Sequence, residues 1–415
     1  MRYVTSTGQR SSSASYHEAD LHGQPHGRQV VATATETGPS ALTPAKLGTV
    51  VLPNRLGLGP INSALFEPDG SISDLHFGFY ERFVEEGLGL VYVGAVAVTQ
   101  AGRSNSRSLV LDRPERSLGI RRIAEACRQS GTVLAVQLMH VGRQARSSEI
   151  GHETVAPSPL PCPVMDERPR ELTPAEISRI CRQFGEAAAI AEDAGAHLIE
   201  IHAAHGYLVG AFLSPYSNVR SDHYAATPGG RSRFLSELLD EVGRRTSLPI
   251  GLRVSVVENV DGGLRVEDLA GTLGHAREAL AFLSVSGGVY VRERDVIIPS
   301  RDLGRMLWEA QAASLRQWLG VPVAISGNFH DLDEVDDVVR RRSADVVLMV
   351  RALLADPMLL RKWTAGRRSE VQPCIDCRLC KYHTRREPHV YCPFNTELVA
   401  IRRNWLRTRN PGGQA

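Results

Sequence analysis

The sequence predicts a closed (β/α)₈ barrel with a four-cysteine segment near its C-terminus. Short apolar runs alternate with amphipathic stretches long enough to form helices, and eight such runs can be counted. No GxGxxG motif follows the first run, which disfavours the alternative, an open doubly wound sheet. The predicted organisation is a disordered extension over residues 1–41, a barrel over 42–366 and a metal-binding segment over 367–415.

The extension is rich in Ser, Thr, His, Gly and Gln and has little periodicity. It is predicted to be disordered because it cannot bury enough surface to offset the entropy of ordering. Beyond it, each run rich in Val, Ile, Leu and Ala is predicted to be a buried parallel strand. The predicted strands are Arg55–Gly59, Gly89–Val96, Val133–Met139, Ala196–Ile201, Ile250–Val254, Phe282–Val285, Val321–Ile325 and Asp345–Met349.

Helical patterns lie between these runs. The clearest is Pro174–Ala194, where Thr173 is the predicted N-cap and Glu176 completes a capping box. Further helices are predicted over Arg231–Arg245 and Asp331–Arg342.

Composition and charge favour a globular protein that acts on a small molecule. Apolar residues make up 42% of the chain, and 48 basic against 46 acidic residues give a net charge of +2. Because no long block of one sign is present, nothing favours nucleic acid or an anionic membrane as a partner. No run is long and apolar enough to span a bilayer, and no secretory signal is visible, so a cytoplasmic location is expected.

Polar and conformationally special residues follow the predicted strands, which is where barrel enzymes carry their chemistry. An arginine buried at a strand end needs an acceptor, and a bound cofactor is a natural one. The loops after strands seven and eight are the usual phosphate cradle of the fold. The residues concerned include Pro60, Asn62, Gln137, His202, His205, Tyr207, Arg253, Gly327, Asn328 and Arg351.

Four of the seven cysteines lie in the segment PCIDCRLCKYHTRREPHVYCPFN, as C-x₂-C-x₂-C-x₁₁-C. Such clustering in a long chain without a secretory signal indicates metal ligation rather than disulfides. The spacing alone leaves an iron–sulfur cluster and zinc about equally favoured. The predicted ligands are Cys374, Cys377, Cys380 and Cys392.

The sequence resembles the Old Yellow Enzyme family of flavin oxidoreductases, in its larger iron–sulfur branch that includes 2,4-dienoyl-CoA reductase and trimethylamine dehydrogenase. Motifs in the same order carry the resemblance, and the fourth-strand segment is the most specific. They are LTPAKLGTVVLPNRLGLGP, QLMHVGRQA, EIHAAHGYLVGAFLSPYSNVRSDHY, GLRVS and RALLADP.

The resemblance implies a barrel that binds FMN. Pro60 would lie against the flavin, Gln137 on its pyrimidine edge and Arg253 near N1 and O2. Asn62 takes a position near the C4 oxygen where relatives often carry Thr or Cys. Arg351, with the backbone around Gly327 and Asn328, would hold the phosphate, although Val350 replaces a usual glycine.

The resemblance also implies a reaction. His202 and His205 would polarise a carbonyl or phenolate oxygen while a hydride passes from FMN to a conjugated C=C bond, and Tyr207 would donate the proton. The alternative is oxidation of an amine or ring, with electrons leaving through the cluster. A third reading is an electron relay without catalysis.

In the same way the resemblance favours a [4Fe–4S] cluster over zinc. Electrons would come either from a partner, such as a ferredoxin or a reductase, or directly from NAD(P)H. Assembly into a homo-oligomer is common among such barrels. The loop GGVYVRERDVIIPS lacks the histidine that dienoyl-CoA reductases use as a second acid, so thioester dienes are not expected as substrates.

Overall fold

The computed structural model describes residues 40–63, 65–67, 69–224, 228–291, 297–380 and 391–409. The predicted disordered extension therefore lies outside the described residues, apart from its last two positions. Of these, Ala41 is buried, and its backbone N–H donates to Asp336 Oδ1 at 2.6 Å.

The strands form one closed barrel and two small accessory pairs. In chain order the strands are β1 (Ala45–Leu47), β2 (Val50–Leu52), β3 (Leu56–Leu58), β4 (Leu90–Ala97), β5 (Val133–Met139), β6 (Val155–Ala156), β7 (Arg170–Glu171), β8 (Leu198–Ala203), β9 (Ile250–Ser255), β10 (Phe282–Ser286), β11 (Val323–Ile325) and β12 (Val346–Met349). Strands β3, β4, β5, β8, β9, β10, β11 and β12 close the barrel in that order, all parallel. The predicted (β/α)₈ barrel is thus confirmed.

Helices surround the barrel strands. They are α1 (Asp74–Val84), α2 (Leu118–Ser130), α3 (Ser147–Ile150), α4 (Pro174–Asp193), α5 (Leu208–Leu213), α6 (Pro228–Arg245), α7 (Val266–Leu273), α8 (Glu309–Leu319), α9 (Leu332–Arg340), α10 (Arg351–Ala355), α11 (Leu359–Thr364) and α12 (Thr396–Arg409). None of these described helices combines the length and apolar character that crossing a bilayer requires.

Local sequence explains why α4 begins where it does. The Thr173 hydroxyl accepts from the backbone N–H of Glu176, and the Glu176 carboxylate accepts from the N–H of Thr173. This reciprocal pair satisfies two of the N–H groups that a helix start leaves unpaired. The predicted capping box is therefore confirmed.

Burial on both faces explains the continuous apolar runs of the barrel strands. All seven residues of β5 and all six of β8 are buried. Helices cover the outer face of the barrel, and side chains from the strands fill its interior. One boundary differs from prediction in a way that matters. Strand β8 runs on to Ala203, so His202 belongs to the strand and not to the following loop.

The strand register gathers polar side chains near the carboxyl end of the barrel. Gln137 of β5 lies beside Glu200 of β8, and His202 of β8 lies beside Arg253 of β9. Ser284 of β10 in turn pairs with Arg253. Because parallel strands end at the same edge, residues distant in sequence become neighbours there.

Candidate active site

Pro60, which follows β3, meets Gly94 of β4 and Gln137 of β5 near the carboxyl end of the barrel. A Cβ atom placed on Gly94 would lie 2.8 Å from Cβ of Gln137 and 3.4 Å from Cβ of Pro60. Glycine is needed at position 94 because any side chain would separate these two predicted cofactor contacts. Nearby, Asn62 Nδ2 donates to Ser104 Oγ at 3.2 Å.

A buried carboxylate, that of Glu200, holds the side chain of Gln137 in place. Its Nε2 donates to Glu200 Oε1 at 2.6 Å, and the Glu200 side chain is fully buried. The same carboxylate accepts from the Tyr92 hydroxyl at 2.8 Å and from the Ser284 hydroxyl. Glu200 was not among the residues predicted from sequence, although a charged residue inside the apolar run LIEIHA was a signal for it.

The predicted catalytic residues come together. The ring centroids of His202 and His205 are 5.0 Å apart, and those of His202 and Tyr207 are 4.7 Å apart. His202 lies at the end of β8, whereas His205 adopts a left-handed backbone with φ of 61° and Tyr207 precedes α5. The left-handed turn brings the loop residues back toward the strand end.

Burial keeps both imidazoles neutral. It lowers the pKa of His202 well below its usual value, with His205 and Arg253 lowering it further, and it lowers the pKa of His205 to about 3. His202 Nδ1 accepts from the N–H of Ala204 at 3.2 Å, so a neutral ring carries its proton on Nε2. His202 can therefore donate a hydrogen bond from Nε2.

The two histidines differ in what they contact. His205 Nε2 lies 2.9 Å from Ser286 Oγ, and its backbone N–H donates to Ser255 Oγ at 2.9 Å. The resemblance implied that both rings hydrogen-bond one substrate oxygen. In the described structure Nε2 of His205 is already engaged by Ser286, whereas Nε2 of His202 makes no contact of this kind.

Tyr207 is held as a neutral phenol. Burial raises its pKa well above the usual value, and the neighbouring Tyr290 raises it further. The two hydroxyl oxygens lie 3.1 Å apart. Tyr290, in the loop after β10, was not predicted as a site residue, because its contact with Tyr207 depends on the folding of two separate loops.

Arg253 supplies a cation whose hydrogen bonds are incomplete. Its Nη2 donates to Ser326 Oγ at 2.6 Å, but Nη1 is buried and has no hydrogen-bond partner within the described ranges. A buried guanidinium that is only partly satisfied is costly. The site therefore fits a ligand that presents an acceptor oxygen or nitrogen to Arg253, as the pyrimidine ring of a flavin does.

The residues of the predicted phosphate cradle are also neighbours. Arg351 Nη2 donates to Asn328 Oδ1 at 2.5 Å, and Asn328 has a left-handed backbone with φ of 61°. A Cβ atom on Gly327 would lie 2.5 Å from the Leu307 carbonyl oxygen, so only glycine fits there. Arg351 also forms an ion pair with Asp376 of the cysteine segment. An arginine beside a glycine-containing turn suits a phosphate.

The four predicted metal ligands influence one another electrostatically. The pKa of the Cys380 thiol is raised to about 11, mainly by burial; Arg351 opposes the rise, and Cys374, Cys377 and Cys392 add to it. However, no three Cys, His, Asp or Glu side chains in the described chain are arranged to hold a metal ion. Residues 381–390, between the third and fourth cysteines, lie outside the described residues. The cluster stays a prediction.

Comparison with known proteins identifies the family to which the chain is similar. A family model described as the NADH:flavin oxidoreductase / NADH oxidase family matches residues 41–370. The chain is 32% identical over 347 residues to NADH oxidase of Thermoanaerobacter brockii, which covers 82% of this chain and 53% of that protein. It is 30% identical over 321 residues to NADPH dehydrogenase of Bacillus subtilis (strain 168), covering 77% and 92% respectively. The chain thus spans about half the length of the first relative.

A solved structure of similar fold is that of 2-naphthoyl-CoA reductase in complex with 2-naphthoyl-CoA. The TM-score is 0.83, with 22% sequence identity, and the match covers 88% of this chain and 58% of that chain. At this identity the likeness concerns the fold alone.

Proposed function

The chain belongs to the NADH:flavin oxidoreductase / NADH oxidase family, and from this premise we propose that its barrel binds FMN and reduces a C=C bond conjugated with a carbonyl group. The observation that carries the proposal is the cluster of His202, His205 and Tyr207 beside the partly satisfied Arg253. Hydrogen-bond donors and a neutral acid are thereby grouped at the end of the barrel where its fold places catalysis.

FMN bound here would supply the hydride. Pro60, Asn62 and Gln137 would contact its ring system, Arg253 its N1 and O2 side, and Gly327, Asn328 and Arg351 its phosphate. His202 Nε2–H would donate to the carbonyl oxygen and stabilise the negative charge that develops there, with His205 beside it. Tyr207 would give its proton to the carbon next to the carbonyl, because its raised pKa keeps it protonated at neutral pH.

The electron source is part of the proposal. Relatives of this chain are named NADH oxidase and NADPH dehydrogenase, which supports direct reduction by NAD(P)H. The four cysteines would hold a [4Fe–4S] cluster that exchanges electrons with a ferredoxin or a reductase, because the spacing C-x₂-C-x₂-C-x₁₁-C supplies the four thiolates that such a cluster needs.

The test separates the two half-reactions under anaerobic conditions. Purified protein is reduced with NADPH, and reoxidation of its flavin by 2-cyclohexenone is followed by absorbance in wild type, Tyr207→Phe and Tyr216→Phe. Loss of a general acid costs about 10²–10⁴-fold, so Tyr207→Phe is expected to slow reoxidation by that factor and to leave reduction by NADPH unchanged. Tyr216 is the matched control, because its ring packs against Arg143 and takes no part in the ring contacts that join His202, His205 and Tyr207.

Equal reoxidation rates in Tyr207→Phe and wild type would show that Tyr207 is not the proton donor. Bleaching of the flavin by an amine without any nicotinamide would favour the alternative, oxidation of an amine or ring. Protein without flavin would overturn the proposal as a whole.

A further inference from the structure

We infer that Glu200 is a positioning residue for the cofactor: it fixes the Gln137 amide so that the carbonyl oxygen is the atom offered to the flavin. This inference rests on the proposed function, since it concerns how the same barrel would recognise FMN. It assigns a role to a buried carboxylate that the proposed chemistry does not itself use.

The contact between the two side chains is direct and enclosed. Gln137 and Glu200 are neighbours in the register of β5 and β8, and Nε2 of Gln137 lies 2.6 Å from Oε1 of Glu200. Gln137 is 1% exposed and Glu200 is 0% exposed. Neither side chain can change its partner by turning into solvent.

The chemistry of the carboxylate decides which way the amide points. An ionised carboxylate accepts hydrogen bonds and donates none. The Gln137 atom that faces Glu200 must therefore be the NH₂ group, and Oε1 must point the other way. Within the described chain Oε1 of Gln137 accepts no hydrogen bond, so it remains available to a ligand.

Two further donors hold the carboxylate in place. The Tyr92 hydroxyl donates to Oε2 at 2.8 Å, and the Ser284 hydroxyl donates to the same oxygen. Three donors compensate for the hydration that a buried carboxylate loses. Because Glu200 lies on β8 and the two further donors lie on β4 and β10, three strands other than its own fix the orientation of the Gln137 amide.

The ligand atom that fits this arrangement is an N–H. The pyrimidine edge of a flavin presents N3–H, its single ring donor, between two carbonyl oxygens. Oε1 of Gln137 would accept from N3–H, whereas an amide free to turn could instead present NH₂ and clash with that hydrogen. Glu200 thus makes the site selective for an unsubstituted N3.

The experiment measures this selectivity as a ratio. The dissociation constants of FMN and of FMN methylated at N3 are determined by fluorescence titration of the full-length apoprotein. Wild type is expected to bind FMN at least about tenfold more tightly than 3-methyl-FMN, since the methyl group removes one hydrogen bond and crowds the acceptor. In Glu200→Gln the ratio is expected to fall to about two, because the new amide accepts either orientation of Gln137.

Two more variants keep the test decisive. Glu200→Asp keeps the charge but withdraws the carboxylate by one methylene, and it is expected to lower the ratio as well. Glu258→Gln is the matched control, because Glu258 is also a buried carboxylate, yet it accepts from Ser214 Oγ and from the Leu264 N–H at 2.8 Å. It is expected to retain the wild-type ratio.

A merely structural role for Glu200 would weaken binding of both flavins alike and leave their ratio unchanged, and that result would overturn the inference. Equal affinity of the wild type for the two flavins would also overturn it, while the FMN site itself would stand. Failure of wild type to bind either flavin would instead remove the proposed function on which the inference rests.

Discussion

At the scale of single residues, two buried arginines illustrate opposite uses of a positive charge. Arg220 is fully engaged: it forms an ion pair with Asp222 and donates to the carbonyl oxygens of Pro157 and Leu172, each at 2.8 Å. Arg253 keeps a buried Nη1 without a partner in the described chain. Removing Arg220 would leave Asp222 and two carbonyl oxygens without their donor, whereas Arg253 has a donor left over for a ligand.

This contrast predicts different consequences for two matched substitutions. Arg253→Met is expected to weaken FMN binding by roughly 10–100-fold, because a charge-assisted hydrogen bond is lost, and to leave the apoprotein at least as stable as wild type. Arg220→Met is expected to cost about 3–5 kcal/mol in the free energy of unfolding while FMN affinity is preserved. Fluorescence titration with FMN and urea unfolding of the apoproteins measure the two effects.

The reverse pattern would contradict this assignment. If Arg253→Met destabilised the apoprotein strongly and bound FMN normally, Arg253 would be a structural residue. The acceptor for its Nη1 would then not be the flavin.

At the scale of elements, helix α1 contains a histidine that water does not reach. His76 is fully buried against Phe66, with ring centroids 4.1 Å apart, and against Tyr80 at 4.9 Å. Neither of its ring nitrogens has a hydrogen-bond partner in the described structure. Burial therefore lowers the pKa of His76 to about 3.

The lowered pKa predicts that α1 contributes to acid sensitivity. The unfolded chain takes up a proton on this histidine below pH 6.5, whereas the folded chain resists it until about pH 3, so stability falls as the pH is lowered through that window. Between pH 7 and 5 the loss from His76 is about 2 kcal/mol. His76→Leu, which has a similar volume, is expected to lose that much less than wild type over the same interval, measured by urea unfolding at both pH values.

The comparison cancels the other buried histidines, because they are present in both proteins. Equal acid losses in wild type and His76→Leu would mean that His76 is protonated or exposed in the folded state.

At the scale of the whole molecule, the sequence predicts what local periodicity and chain order determine. The eight barrel strands and the α4 capping box are such features, because each depends on residues close together in the chain. The grouping of His202, Tyr207 and Arg253 was also predictable, since parallel strands bring their carboxyl ends to one edge. Knowing the fold class was therefore sufficient to place these candidate site residues together.

Contacts that arise only from closure of the barrel and folding of its loops were beyond such reasoning. Gln137 and Glu200 are separated by 63 positions, and Tyr207 and Tyr290 by 83. Each pair meets through side-chain orientations that no local pattern encodes. The engagement of His205 Nε2 by Ser286 was missed for the same reason.

The cysteine segment is tied to the barrel on the side of the predicted phosphate cradle. Asp376 pairs with Arg351 and accepts from the backbone N–H of Arg301 at 2.7 Å, while Arg301 Nη2 donates to the Cys374 carbonyl oxygen at 2.9 Å. These contacts join the segment to the ends of the last barrel strands. A redox group held by the cysteines would therefore be part of the barrel's rim and not an independent module.

This arrangement predicts separable effects when one ligand is removed. Cys377→Ser is expected to lose its iron and to retain FMN and flavin reduction by NAD(P)H, while electron exchange with ferredoxin falls on the order of tenfold or more. Cys181→Ala is the matched control, because Cys181 is buried in α4 and its thiol pKa is raised to about 12 by burial. Iron, zinc and flavin are quantified in each protein and followed by anaerobic titration. Zinc in place of iron in wild type would make the cysteine segment a structural metal site without redox activity. Every electron would then have to enter and leave through the flavin alone.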